Sequence, residues 1–328
     1  MGSTGTTMHK ICVATDLEPD DVLALAVLHG RKFAIKAVLV GEGDPRAKSH
    51  RALEYLSALG VADAVVTAGA PSDKLFPGEA PSAADTAFDA PSAFRYFEGL
   101  VDSGIKHVLY LKPPRELLAM WTADQARART LFQHLHLGLY GSFNLRVLGY
   151  VKTAWMTSAD ECPFASVRLY QNVGGLADDF TGEAIKNLNP GTCPEFFGRA
   201  VDGHLKQVMH VWDSDVVKDC VDTCAGLGGI DGPPNGMDDE RWRRNRTCYD
   251  QVSANFGRQI VAADPVLAAV VWSEALEADA TTLSSVDMVF DGSKTYPVPV
   301  PSPGSRVKLY HGMRLSAVTD ILLQTQWF

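Results

Sequence analysis

The run KICVATDLEPDDVLALAVL, Lys10–Leu28, decides the fold. Lys10–Thr15 is a short apolar stretch of strand length and reads as a buried strand. Acids follow at once, at Asp16, Glu18, Asp20 and Asp21. Val22–Leu28 is apolar all round, as suits a helix packed on a sheet. Asp20 and Asp21 fall at the start of that helix, where negative charge is favoured. Working outward, Phe33–Val40 reads as a second strand. Arg46–Leu59 sets Ala52, Leu53, Leu56 and Leu59 at helical spacing, and Ala64–Thr67 reads as a third strand. His107–Leu111 and Leu137–Tyr140 are a fourth and fifth, with a helical stretch, Glu116–Leu135, between them. Strands and helices alternating at this pitch predict an α/β fold. The sheet should be open, mostly parallel and Rossmann-like, with helices on both faces.

The rest of the chain is read more coarsely. Pro71–Ala93 is rich in Pro, Ser, Ala and Asp and reads as a loop. Thr181–Leu188 and Glu195–Trp212 have helical spacing. Cys224–Asp239 is dense in glycine and proline and reads as a loop or flap. Asp264–Leu276 is a strongly apolar helix, Val286–Phe290 and Val307–Tyr310 are late strands, and Met313–Gln326 is a final helix. No repeat or linker divides the chain. One large domain over 9–328 is expected, after a flexible polar leader at 1–8.

Composition excludes several classes. Of 328 residues, 46% are hydrophobic and 21% charged, the values of a folded globular chain. Lys and Arg number 30 against 39 Asp and Glu, a net charge of −9. Such a surface does not suit a general binder of nucleic acid or anionic membrane. No apolar run has the length of a membrane span. The six cysteines are too sparse for a disulfide scaffold, so a reduced, cytoplasmic protein is expected. Cys220, Cys224 and Cys248, with His204 and His210, lack the spacing of a zinc site.

The acids after the first strand carry the chemistry. In an open parallel sheet, ligands bind outside the carboxyl ends of the strands. Carboxylates crowded there repel one another unless a cation lies among them, and hard oxygen donors favour Ca²⁺ or Mg²⁺. A helix cap needs one Asp, not four acids. Haloacid-dehalogenase phosphatases carry Asp-x-Asp at this place. Here Glu18 stands at the second acid and the following threonine is absent.

The run resembles instead the inosine–uridine-preferring nucleoside hydrolase family, whose first strand ends in Asp-x-Asp-x-Gly-x-Asp-Asp. Asp16, Asp20 and Asp21 keep the spacing of the last three acids, with Ala14 at the first acid and Glu18 at the glycine. The similarity continues through Val38–Glu42, Arg51–Ala70, Leu109–Leu118 and Leu139–Asn144. It resumes at Ala262–Val271, where AADPVLAAVV is similar to the family's His-Asp-Pro-x-Ala helix start. The resemblance implies a calcium ion held by Asp16, Asp21, Asp264 and the Arg115 carbonyl. It implies that Asp16 activates the attacking water and that Asp20 holds a ribose hydroxyl. A nucleoside-like small molecule is then the substrate, and a homo-oligomer the expected assembly.

Several family polar contacts differ. Glu42 stands at the Gly-Asn amide and is the candidate substrate contact there. Arg115 and Glu116 replace a Thr-Asn pair. Ala263 replaces the histidine that helps the leaving base depart. Asn144, Glu161 and Asn172 are the candidates to recover ribose contacts, and His210, His311 and Glu161 to protonate the leaving base. Lys112, Arg115 and Arg146 place positive charge near the carboxyl edge, either to meet an anionic substrate or to pair with acids such as Glu116. The expected activity is hydrolysis of an N-glycosidic bond. Two alternatives are a catalytically silent nucleoside-binding protein and an N-glycosidase of nucleotides or other charged ribosyl compounds.

Overall fold

A computed structural model describes residues 9–71, 88–140, 162–170, 263–279, 281–283, 286–291, 294–299 and 306–311, and single positions within 238–243 and 318–321. In chain order the elements are β1 (Lys10–Thr15), α1 (Pro19–Gly30), β2 (Ala34–Val40), α2 (Pro45–Ala58), β3 (Val65–Ala68), α3 (Ala90–Asp102), β4 (His107–Tyr110), α4 (Arg115–Ala123), α5 (Gln125–Phe132), β5 (His136–Tyr140), β6 (Ser166–Tyr170), α6 (Ala263–Val270), α7 (Glu274–Asp279), β7 (Thr281–Leu283), β8 (Val286–Asp291), β9 (Lys294–Pro299) and β10 (Val307–His311).

The strand order is β3-β2-β1-β4-β5-β6-β10-β7, with β8 and β9 forming a separate antiparallel hairpin. All neighbours from β3 to β10 run parallel; β7 joins the edge antiparallel. This is the expected α/β architecture. The chain runs outward from β1 through β2 to β3, then returns to β4 on β1's other side. The crevice where strand order reverses therefore opens at the carboxyl ends of β1 and β4.

Period-two alternation sends β1 into two cores. Ile11 and Val13 pack under α1, α2 and α6 with Leu25, Leu56 and Leu267. Cys12 and Ala14 pack under α3, α4 and α5 with Phe97, Leu117 and Phe132. Helix α1 is buried on every side because α6 covers the face turned from the sheet. Gly138 lets the end of α6 settle: a Cβ there would lie 2.7 Å from Val271 Cγ2.

Arg31, just past α1, fixes the relation of the two helices. Its Nη1 donates to the carbonyls of Ala268 and Val271, the latter at 3.0 Å. Burial lowers this guanidinium to about 10, so it remains charged against the α6 C-terminus. With that end clamped, the N-termini of α1 and α6 meet at the sheet's carboxyl edge.

Some elements differ from expectation. The helix read over Glu116–Leu135 breaks at Asp124, whose extended backbone (φ −155) ends α4 while its side chain caps α5 through Arg127 N–H at 3.0 Å. Helix α3 starts at Ala90, inside the stretch read as loop, because Asp89 accepts from Ser92 N–H at 2.9 Å and Pro91 suits a first turn. The apolar stretch Asp264–Leu276 is two helices, parted where Trp272 takes the left-handed φ of 52. The strand read at Val286–Phe290 is present as β8 and pairs with β9 in the hairpin. The helices read at Thr181–Leu188 and Glu195–Trp212, and the loop at Cys224, lie outside the described residues apart from single positions. Among the described residues no helix is long and apolar enough to cross a membrane.

Candidate metal and active site

Strand β1 ends by pairing Thr15 with Val40, and Asp16 follows at the sheet's edge. The turn into α1 is tight. Leu17 takes φ 56, its N–H donating to Thr15 Oγ1 at 2.8 Å. Glu18 N–H then donates to Asp21 Oδ2 at 2.8 Å, closing half of a capping box. Pro19 fits the first helical position, and Asp20 and Asp21 occupy the first turn. Asp264 lies in the first turn of α6, which begins one residue before it, so Asp264 is inside the helix rather than its N-cap. Two helix N-termini thus bring acids to one place, as their partial positive charge favours.

Carboxylate oxygens of Asp20, Asp21 and Asp264 lie within 4.8 Å of one another, all in buried side chains. Asp16, also buried, is within hydrogen-bonding reach of Asp21, and Asp21 in turn reaches Asp264. Burial, then the charges of Asp16, Asp264 and Asp20, pushes the Asp21 carboxyl well above the usual carboxylate range. Burial, then Asp20 and Asp16, does the same to Asp264, partly offset by its bond to Asp21. Asp21 Oδ1 is wholly buried and accepts no hydrogen bond among the described residues. Carboxyl oxygens this close need a proton or a cation between them. An oxygen-only donor set with a spare buried acceptor fits a hard divalent ion.

Further buried charges lie on α2 and on the segments that leave β2 and β4. Lys48 of α2 is 3% exposed and donates to the Asp16 carbonyl at 2.8 Å. Lys112 is wholly buried, and its Nζ donates to both Glu116 oxygens at 2.6 and 2.8 Å. Gly41 makes room for it, since a Cβ there would stand 2.6 Å from Lys112 Nζ. Lys112 is therefore a structural ion pair out of reach of a ligand. Glu42 is 1% exposed and accepts from Arg115 Nε at 2.6 Å, so its carboxylate is engaged within the protein. Arg115 opens α4.

Asn144, Arg146, Glu161, Asn172 and His210 lie outside the described residues, and only the backbone of His311 is described, at the end of β10. Lys48 was missed in the sequence. The signal was there: it shares the buried stripe of α2 with Ala52 and Leu56, where a lysine must find a partner.

Sheet order and acid-lined crevice together define an open, doubly wound α/β architecture with its candidate site at the switch point, a fold shared with solved nucleoside hydrolases. A plant nucleoside hydrolase, PpNRh1, superimposes with a TM-score of 0.55 at 14% identity, over 97% of this chain and 98% of that one. An inosine–guanosine nucleoside hydrolase gives 0.53 at 13%, over 96% and 98%. The type III effector protein XopQ, solved with adenosine diphosphate ribose, gives 0.55 at 12%, over 98% and 93%. At these identities the likeness is one of fold. No protein-family model matches the sequence, and no curated protein does.

Proposed function

We propose that the protein hydrolyses the N-glycosidic bond of a nucleoside or nucleoside analogue, releasing base and ribose, with calcium as cofactor. The observation that carries this reading is the buried carboxylate cluster at the switch point of a nucleoside-hydrolase-like fold. Asp16, Asp21 and Asp264 are the proposed ligands, with the Arg115 carbonyl as the main-chain ligand, and Asp20 lies beside Asp21 and Asp264. When bound there, calcium supplies Lewis acidity and a grip on hydroxyl oxygens.

Asp16 is the proposed general base. Its carboxylate takes a proton from the water that attacks the anomeric carbon. The C–N electron pair leaves with the base as the sugar passes through an oxocarbenium-like state. Lys48, bonded to the Asp16 carbonyl, holds the strand end from which that carboxylate projects. Asp20 is assigned to a ribose hydroxyl, and Asn144, Glu161 and Asn172 to the remaining substrate contacts. Protonation of the departing base falls to His210, His311 or Glu161. A cytoplasmic homo-oligomer completes the proposal.

A second reading has one observation behind it. Glu42 and Ala263 stand where the resembled family has an amide and a histidine, which suits a silent nucleoside-binding protein. Incubation with a panel of nucleosides, followed by chromatography for free base, separates the two. Base release that stops on chelation supports hydrolysis; binding without release in calcium supports the silent reading and overturns ours.

A further inference from the structure

Strand β1 lies between β2 and β4, and two ion pairs are built from the segments that leave those flanking strands. Lys112–Glu116 is sealed in the interior. The other, Arg115 Nε to Glu42 Oε1 at 2.6 Å, joins the segment after β4 to the segment after β2. It therefore crosses the carboxyl end of β1, beside Asp16 and at the switch point of the sheet.

The anchor of this bridge is rigid. Glu42 is buried, takes the left-handed φ of 60, and donates its N–H to the Ala70 carbonyl at 2.9 Å. A buried carboxylate needs one cationic partner, and Arg115 meets that need through Nε alone. Yet the Arg115 side chain is 43% exposed, and its two Nη nitrogens make no hydrogen bond among the described residues. The guanidinium is thus held from its Nε side while its outer fork of donors is left without a protein partner among the described residues. A planar fork with one side fixed suits bidentate capture of a phosphate or carboxylate. An anionic substituent beside four carboxylates needs a cationic landing point of its own. Among the lysines near the acids, Lys48 and Lys112 are buried and turned to protein partners.

We infer that Arg115 is a specificity-determining residue whose Nη edge receives an anionic group, phosphate or carboxylate, on the ribosyl substrate. This rests on the hydrolase reading only for the fate of the ligand, not for its capture. The test titrates calcium-loaded protein calorimetrically with three ligands: a nucleoside, the same nucleoside phosphorylated on its primary hydroxyl, and the analogue oxidised there to a carboxylate. Base release from each is timed in parallel. One or both charged ligands should bind about 10- to 100-fold more tightly than the neutral one, the range of charge-assisted hydrogen bonds, and which of them does identifies the group. Arg115→Gln should erase that ratio and Arg115→Lys should keep part of it. Equal affinities in the wild type, or a ratio that survives in Arg115→Gln, would overturn the assignment and leave Arg115 as the neutraliser of Glu42. If Arg115→Gln does not fold, the wild-type ratio and Arg115→Lys decide. Selective capture of charged ligands without base release would sink the hydrolase reading and leave this one standing.

Discussion

At the carboxyl edge of the sheet, Asp16, Asp20, Asp21 and Asp264 crowd between two helix N-termini. At the amino edge, His9, His107 and His136 lie in a row along neighbouring strands, with ring centroids 4.8 and 4.9 Å apart. Burial acts on both groups against charge. It lifts the carboxyls of Asp21 and Asp264, and it lowers His107 to about 4, helped by His136, His9 and Arg168. The outcomes differ because of partners. A neutral imidazole is content to stack: Trp272 stands edge-on to His107, and His136 Nδ1 bonds Ser166 Oγ at 2.9 Å. Buried carboxyls crowded together reach rest only by sharing a proton or a cation, and among the described residues Asp21 Oδ1 accepts no hydrogen bond. Burial alone does not mark a functional site; burial that leaves like charges uncompensated does.

The sharpest way to break the comparison is at the base. Asp16→Asn should leave the fold intact and lower turnover by about 10²- to 10⁴-fold, since an amide cannot take the proton. Rates near wild type would remove Asp16 from that role. Asp21→Asn separates site from scaffold: the amide oxygen can still accept from Glu18 N–H, while one repelling charge is gone. Thermal melts should show the metal-free variant more stable than metal-free wild type, and added calcium should no longer raise its melting temperature. For the wild type, calcium at a hundred times its dissociation constant should add about 2.7 kcal/mol of stability, lost on chelation.

The amino edge should respond to acid instead. His107 is lowered from 6.5 to about 4, so on acidification the unfolded chain takes the proton first. Its contribution to stability is full above pH 6.5 and is lost as pH falls toward 4. Lys106 and Arg168, which face the same row, add to the repulsion when His136 also gains a proton. Melting temperatures of wild type and His107→Phe should diverge across that window and run parallel above it. The smallest effect belongs to neither edge. Asp124→Ala removes the α5 cap, should cost about 1 kcal/mol in denaturant melts, and should leave turnover alone.

Much of this was legible in the sequence, for reasons that differ by residue. Lys10–Thr15 announces itself because an apolar run of strand length is cut off by acids. Pro19, Asp20 and Asp21 carry the start signals of α1 in their own chemistry. The meeting of Asp264 with Asp21 could be reached only through a resemblance, since no local signal spans that separation. The structure supplies its physical cause in the Arg31 clamp on α6. The break at Asp124 was hidden because Ala, Leu, Met and Arg on both sides favour helix, and one side-chain cap outweighed them. Strand β6 escaped notice because it lies between long stretches with no clear period. Of the two partners the sequence leaves open for Lys112, the structure selects Glu116, while Glu42, the candidate substrate contact, is spent on an internal ion pair with Arg115. The Lys112–Glu116 pair is visible in its four-residue spacing, whereas the partner of Glu42 is set by the strand order, which spacing along the chain does not reveal.

Asp21 and Asp264, more than two hundred residues apart in the chain, are proposed to hold one cation. Titrating calcium into the metal-stripped protein in a calorimeter, alongside Asp264→Ser, tests it directly. Serine preserves the polar character of the α6 first turn and removes the carboxylate. The wild type should bind one ion per chain, and the variant should lose that binding. Calcium binding unaltered by Asp264→Ser, or no binding to the wild type at all, would contradict it.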